Sequence, residues 1–392
     1  MSLPLYADEI LPADADRATL IGRVWRADRD GPSVVVVQGG RVLDITCADH
    51  PTVRDLLERP DRVSQAATCV GEDIGAVADI LTATGEDPAA RTGVRLLAPI
   101  DLQVIKAAGV TFVVSLLERV IEEQARGEPE KAAEIRAEID TAIGDDLSAL
   151  VPGSEEAMAL KALLIEKGVW SQYLEVGIGP DVEIFTKSPC LAAVGVGAEI
   201  GVHPMSSWNN PEPEIVVVAN AAGEIIGATL GNDVNLRDVE GRSALLLGKA
   251  KDNNASCAIG PFIRLFDETY SLDDVRSAEL AVRVEGEDGF VLDGASSMKM
   301  ISRDPADMVA AMMGAHHQYP DGAVLFLGTM FAPVKDRDTP GEGFTHKTGD
   351  IVSISSERLG RLTNRVNRTD ACPPWTYGLA DLMRNLAGRD LL

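Results

Sequence analysis

Short runs rich in Val and Ile occupy residues 18–25, 34–38 and 41–46, separated by Gly31-Pro32 and Gly39-Gly40. Runs of that length broken by turn-forming dipeptides predict strands joined as hairpins. A helical pattern follows at 53–57, and Thr84-Gly85-Glu86-Asp87-Pro88 concentrates breakers as a linker does. The expectation is a small β-rich N-terminal domain over residues 1–95. Over about 113–172 the period changes. Leu116, Leu117, Val120 and Ile121 recur at helix spacing among Ala, Glu and Lys, with breaks at Gly127 and Pro152-Gly153. After Tyr173 strand-like runs return at 214–219, 224–230, 280–284 and 323–327, with short helices between them. The chain therefore reads as α+β, with residues 96–392 as one larger catalytic domain that carries the helical segment. Strands do not alternate with long helices, which argues against a doubly wound nucleotide-binding sheet.

Charge narrows the partners. The 392 residues carry 36 Lys plus Arg against 61 Asp plus Glu, a formal net charge of -25. Phosphate backbones and anionic lipid surfaces both call for basic patches, so neither nucleic acid nor a membrane is expected as a partner. No stretch reaches the roughly 18 apolar residues of a membrane helix. The first residues have no basic region and meet Asp8 and Glu9 early, so a cytoplasmic location is expected. Cys47, Cys69, Cys190, Cys257 and Cys372 are scattered without a C-x-x-C pair, which disfavours a disulfide framework or thiolate zinc site.

Most local motifs fail. The glycines at 195, 197 and 201 are spaced one residue too long for a dinucleotide fingerprint. Gly241 to Lys249 lacks the spacing and hydroxyl of a phosphate loop, and no G-x-S-x-G elbow occurs. His316 and His317 are adjacent, so on a helix they would point about 100° apart.

The segment from Trp208 to Gly223 behaves differently, reading as loop, strand and turn. Glu212 and Glu214 are two apart, so on a strand their carboxylates share a face. If the chain folds back through Asn220 to Gly223, Glu214 is expected opposite Thr229 and Glu212 opposite Gly231, with Asp233 just past the open end. Three converging carboxylates repel one another unless protonated or neutralised, and a hard divalent cation does the latter. All-oxygen ligation favours magnesium or manganese over zinc. The alternative is an exposed hairpin end whose acids are simply solvated.

Pro211-Glu212-Pro213-Glu214, followed by Gly231-Asn232-Asp233-Val234-Asn235-Leu236-Arg237-Asp238, resembles the E-x-E and G-N-D-V-[ST]-x-R-D signatures of the fumarylacetoacetate hydrolase family. Ala107-Ala108-Gly109-Val110-Thr111-Phe112-Val113-Val114-Ser115, continuing to Arg119, is similar to the entry motif of that family's sugar-acid dehydratase branch. Glu183-Ile184-Phe185-Thr186-Lys187, Ala250-Lys251 with Ser256 to Pro261, Gly328-Thr329 and Lys347 to Val352 follow in the family's order. Asn235 and Phe112 depart from the usual Ser or Thr and Tyr.

The resemblance implies a mixed β-roll in which Glu212, Glu214 and Asp233 hold Mg²⁺, with Mn²⁺ as a substitute. It implies Lys251 as the catalytic base, with Lys249 two residues away as the alternative, and Glu183 as the acid. Lys187, Thr329 and Thr111 are candidate substrate contacts; the alternatives are an ordinary surface lysine and turn-capping threonines. Arg237 and Asp238 are expected to pair with each other. The implied activity is dehydration of a small 2-keto-3-deoxy sugar acid, 2-keto-3-deoxy-D-xylonate, to 2,5-dioxopentanoate by a homodimer or homotetramer. The rival readings are a hydrolase cleaving a C–C bond in an acylpyruvate-like diketo acid and a non-catalytic sugar-acid-binding protein.

Overall fold

The Val- and Ile-rich runs of the N-terminal segment form antiparallel strands β1 (Leu20–Arg26), β2 (Gly31–Gln38) and β3 (Arg41–Asp44). The computed structural model describes residues 2–90, 92–112, 150–166, 171–331, 333, 335–339 and 343–392, with 116, 120, 121, 123–125, 128 and 131. Beyond β3 come β4 (Glu72–Ala76), β5 (Arg95–Leu96), β6 (Val104–Ala108), β7 (Ile184–Ser188) and β8 (Glu199–Val202). Then follow β9 (Asn209–Asn210), β10 (Pro213–Ala219), β11 (Ile225–Asp233), β12 (Asn235–Leu236) and β13 (Cys257–Leu265). The last strands are β14 (Glu279–Glu285), β15 (Val291–Ser297), β16 (Ala323–Phe326), β17 (Ile351–Ser356) and β18 (Gly360–Arg368).

The largest sheet runs β4-β3-β2-β1-β13-β11-β10-β16-β6-β7, with β5 added beside β1. The N-terminal strands thus extend the same sheet that carries the paired glutamates, joined where Ile21 faces Ile263. It is mixed, because β16 and β6 run parallel while their other neighbours are antiparallel. A second sheet, β15-β14-β17-β18-β8, covers one face of the first. Alternation along β10 makes this possible: Ile215 and Val217 pack toward Val282, Val284 and Ile354. Val216 and Val218 take the opposite face, with Val34, Ile263 and Phe326, under the helices Val53–Glu58 and Arg62–Thr68. The architecture is α+β, as the strand and helix patterns imply.

The hairpin of β10 and β11 forms, but its register differs from the expectation by two residues. Glu214 faces Gly231, not Thr229, and the Asp233 N–H donates to the Glu212 carbonyl at 3.0 Å. Two local features cause the slip. The turn is one residue longer than expected, Asn220 N–H bonding Glu224 O at 3.0 Å, and the ladder is irregular between Val218 and Ala219. A two-residue slip keeps every side chain on its face, whereas a slip of one would have reversed them. Asp233 therefore stands level with Glu212.

In the expected helical segment, Glu155–Glu166 and Gln172–Ile178 are helices, and Leu116, Val120 and Ile121 are buried. Most of residues 113–149 lies outside the described residues. The supposed linker at 84–88 is the end of the helix Val77–Thr84 and the turn after it. No helix among the described residues is long and apolar enough to cross a membrane.

Candidate active site

At the head of the hairpin, Glu212, Glu214 and Asp233 are all buried, and each offers a carboxylate oxygen within 4.8 Å of the others. No other such trio of His, Cys, Asp or Glu occurs among the described residues. Glu214 Oε2 accepts the Gly328 N–H at 2.7 Å, while its Oε1 is buried with no hydrogen-bond partner. An orphaned carboxylate oxygen beside two further carboxylates fits a hard cation, so these residues could hold a metal. Burial pushes the Glu214 carboxyl well above the usual carboxylate range, and the charges of Asp233 and Glu212 add to it. Burial also raises Asp233, but Lys187 and Lys251 outweigh it and hold that carboxyl below its usual range.

Lys251 closes the short helix Leu247–Lys251 and is buried. Its Nζ donates to Asp233 Oδ2 at 3.0 Å and to Glu212 Oε2, and stands 5.7 Å from the centre of the Phe185 ring. Lys249 is exposed, with Nζ 3.2 Å from His203 Nε2. Two residues apart on a helix is about 200° of rotation, so only one of the two can turn inward. Lys187 is fully buried behind Asp233, its Nζ 2.8 Å from Asp233 Oδ1 and bonded to the carbonyls of Val234 and Lys251.

Glu212, Lys251, Glu183 and Thr329 line one small cavity with Gly109, Val110, Phe185 and Glu240. Pairing of β6 with β7, extended by the bond from Gly109 N–H to Glu183 O at 3.2 Å, places Glu183 there. A Cβ at position 109 would lie 2.0 Å from Glu183 Oε2, so the glycine makes room for the carboxyl. Thr329 Oγ1 donates to Phe331 O at 3.0 Å. Thr111 is fully buried and donates to Leu327 O at 2.5 Å, so it faces protein rather than the cavity. Ser115 and Arg119 lie outside the described residues.

Sequence reasoning missed Glu240, which is buried on the helix Arg237–Glu240 and reaches the same cavity. Its sequence signal was slight: an acid three residues after Arg237, within one turn of the short helix that begins there. Arg237 and Asp238 do not pair as expected. Arg237 Nη1 donates to Pro333 O at 3.0 Å with its cation over Trp208, whereas Asp238 accepts from Ser206 Oγ at 2.7 Å and Ser207 N at 2.8 Å. His346, with Nδ1 3.2 Å from Asp350 Oδ2, is buried away from the cavity, whose lining has no histidine. Two larger clefts open elsewhere, at Pro180, Arg303 and Asp307 and at Arg29, Asp44 and Arg389, and none of the three carboxylates lines either.

Residues 180–367 match the family described as fumarylacetoacetate (FAA) hydrolase C-terminal, the stretch that contains the paired glutamates, Asp233 and Lys251. This segment is a fumarylacetoacetate hydrolase C-terminal domain. The chain carrying this domain is 28% identical over 268 residues to a Haloferax volcanii protein named "Probable 2-keto-3-deoxyxylonate dehydratase", covering 68% of this chain and 73% of that one. It is 31% identical over 189 residues to the 2-dehydro-3-deoxy-D-arabinonate dehydratase of Saccharolobus solfataricus, covering 47% of this chain and 59% of that one. In fold it resembles a 2-keto-3-deoxy-D-arabinonate dehydratase solved with magnesium and 2,5-dioxopentanoate, with a TM-score of 0.60 and 22% identity over 89% of this chain and 99% of that one.

Proposed function

We propose that the protein is a magnesium-dependent hydro-lyase that converts 2-keto-3-deoxy-D-xylonate, the same compound as 2-keto-3-deoxy-D-arabinonate, to 2,5-dioxopentanoate and water. One observation carries the reading: Lys251 and Glu183 line the same small cavity as Glu212, beside Glu214 and Asp233. Similarity to relatives named for this dehydration supports the substrate class. Glu212, Glu214 and Asp233 would hold the Mg²⁺, with Mn²⁺ able to replace it. The cation supplies Lewis-acid polarisation of the C2 oxygen and so acidifies C3.

The chain's own groups move the protons. Lys251, in its neutral form, accepts a proton from C3, and Glu183 donates one to the departing C4 hydroxyl. Water leaves and a C3–C4 double bond forms. Transfer of a C5 proton to C3 then gives the C4–C5 enol, which tautomerises to the aldehyde. Thr329 is assigned to the substrate, while Lys187 and Thr111, whose polar atoms meet protein groups, act through the metal-binding carboxylates. We further read residues 1–95 as a small β-rich N-terminal domain and 96–392 as the catalytic domain of a cytoplasmic homodimer or homotetramer in oxidative pentose catabolism. Family resemblance supports the oligomer and the pathway.

The test is incubation with 2-keto-3-deoxy-D-pentonate and Mg²⁺, coupling the aldehyde product to an NAD(P)-dependent dehydrogenase. Turnover that EDTA abolishes and added Mg²⁺ restores is expected. Cleavage of an acylpyruvate, with no turnover of the sugar acid, would overturn the reading.

A further inference from the structure

Glu214 is held from a distance. Its Oε2 accepts the N–H of Gly328 at 2.7 Å, and the carbonyl of that same peptide unit, Leu327 O, accepts the Thr111 hydroxyl at 2.5 Å. One peptide thus carries a hydrogen bond at each end, from Thr111 on one side and to the carboxylate on the other. Donation to a peptide carbonyl polarises its N–H, so the two bonds reinforce each other.

The surroundings fix the geometry of this relay. Leu327 N–H bonds Ile215 O at 3.1 Å and Met330 N–H bonds Pro213 O at 3.3 Å, so the segment runs alongside β10 on both sides of Glu214. Gly328 has φ +97, and a Cβ there would lie 1.9 Å from Thr111 Oγ1. The glycine is therefore what lets the hydroxyl approach the peptide. Thr111 is anchored in turn, because its own carbonyl accepts both Ser302 N–H at 2.8 Å and Ser302 Oγ at 2.9 Å. With Oε2 committed to the peptide, the unpartnered Oε1 is the Glu214 oxygen left to face a cation.

We propose that Thr111 is a positioning residue for the metal site, orienting Glu214 through the Leu327–Gly328 peptide, with Ser302 holding Thr111 in place. This rests on the reading of Glu212, Glu214 and Asp233 as metal ligands. Partners that orient a ligand are typically worth about 10- to 100-fold in metal affinity. Thr111→Val keeps the shape and removes the donor, whereas Thr111→Ser keeps the donor.

The experiment is calorimetric titration of the metal-free protein with Mn²⁺, followed by steady-state kinetics at saturating metal. Thr111→Val is expected to raise the Mn²⁺ Kd about ten-fold, with KM for the keto acid unchanged, and Thr111→Ser is expected to restore the Kd. A wild-type Kd in Thr111→Val, or a raised KM without a change in Kd, overturns the proposal; the second result would make Thr111 a substrate contact. If Thr111→Val does not fold, Thr111→Ala carries the same comparison. Unmodified protein that binds no Mn²⁺, with Glu214→Gln behaving identically, overturns the metal reading and this one with it.

Discussion

The Lys251 ammonium bridges two of the three buried carboxylates, standing 3.0 Å from Asp233 Oδ2 and bonding Glu212 Oε2 as well. The base is thereby placed at the edge of the acidic cluster and in the cavity that Glu183 shares. Lys251→Met should lower kcat by about 10²- to 10⁴-fold, the range for loss of a general base. Lys249→Ala should leave kcat within about two-fold, since that side chain turns outward to His203. The coupled aldehyde assay compares the two variants directly, and equal losses would sink the assignment.

Asp233 carries a structural load as well as a ligand role. Both Lys187 and Lys251 are paired to it in a site that excludes water. Asp233→Asn removes the carboxylate that pairs with the buried Lys187 ammonium, while Lys251 keeps Glu212. Breaking a buried pair from one side costs about 3–5 kcal/mol, so the urea midpoint should fall sharply even without metal. A variant as stable as the parent would show that Lys187 finds another partner.

Stability should also fall on mild acidification, for a reason remote from the carboxylates. Burial holds the His346 imidazole below its usual range, despite the opposing pull of Asp350. The folded state therefore takes up its proton at lower pH than the unfolded chain, whose value is about 6.5. This contribution is fully present above about pH 6.5 and is lost as pH falls through the folded value. Denaturation midpoints measured from pH 7.5 to 5 should decline in the parent and decline less in His346→Gln.

The net charge of -25 opposes capture of an anionic keto acid. Raising ionic strength from about 0.01 to 0.15 M shortens the Debye length from about 30 to 8 Å, which screens the distant acids more than Lys251 in the cavity. We expect kcat/KM at saturating Mg²⁺ to rise over that range. A fall would mean that local lysines such as Lys251 dominate the approach.

The glutamates could be paired from sequence because strand periodicity and hairpin return are short-range properties. Glu212 and Glu214 share a face by the two-residue repeat, and the next strand had to bring Asp233 near them. Even the register error was harmless, since a slip of two preserves the face. The three-residue turn and the irregular ladder at Val218 and Ala219, which together produced it, have no sequence signature.

Local pattern in the chain thus determined the α+β class, the main strands and the carboxylate trio, while family motifs named Lys251 and Glu183. Tertiary structure alone decided which of these meet. The sheet order β11-β10-β16-β6-β7 sets Glu183 and Gly109 across from the hairpin, and the helix phase after Asp233 turns Lys251 inward and Lys249 outward. It also moved Thr111 behind Glu214 and brought Glu240 into the cavity. The physical reason is range: backbone periodicity fixes relations among neighbours in the chain, but strand order and packing fix relations among residues a hundred positions apart.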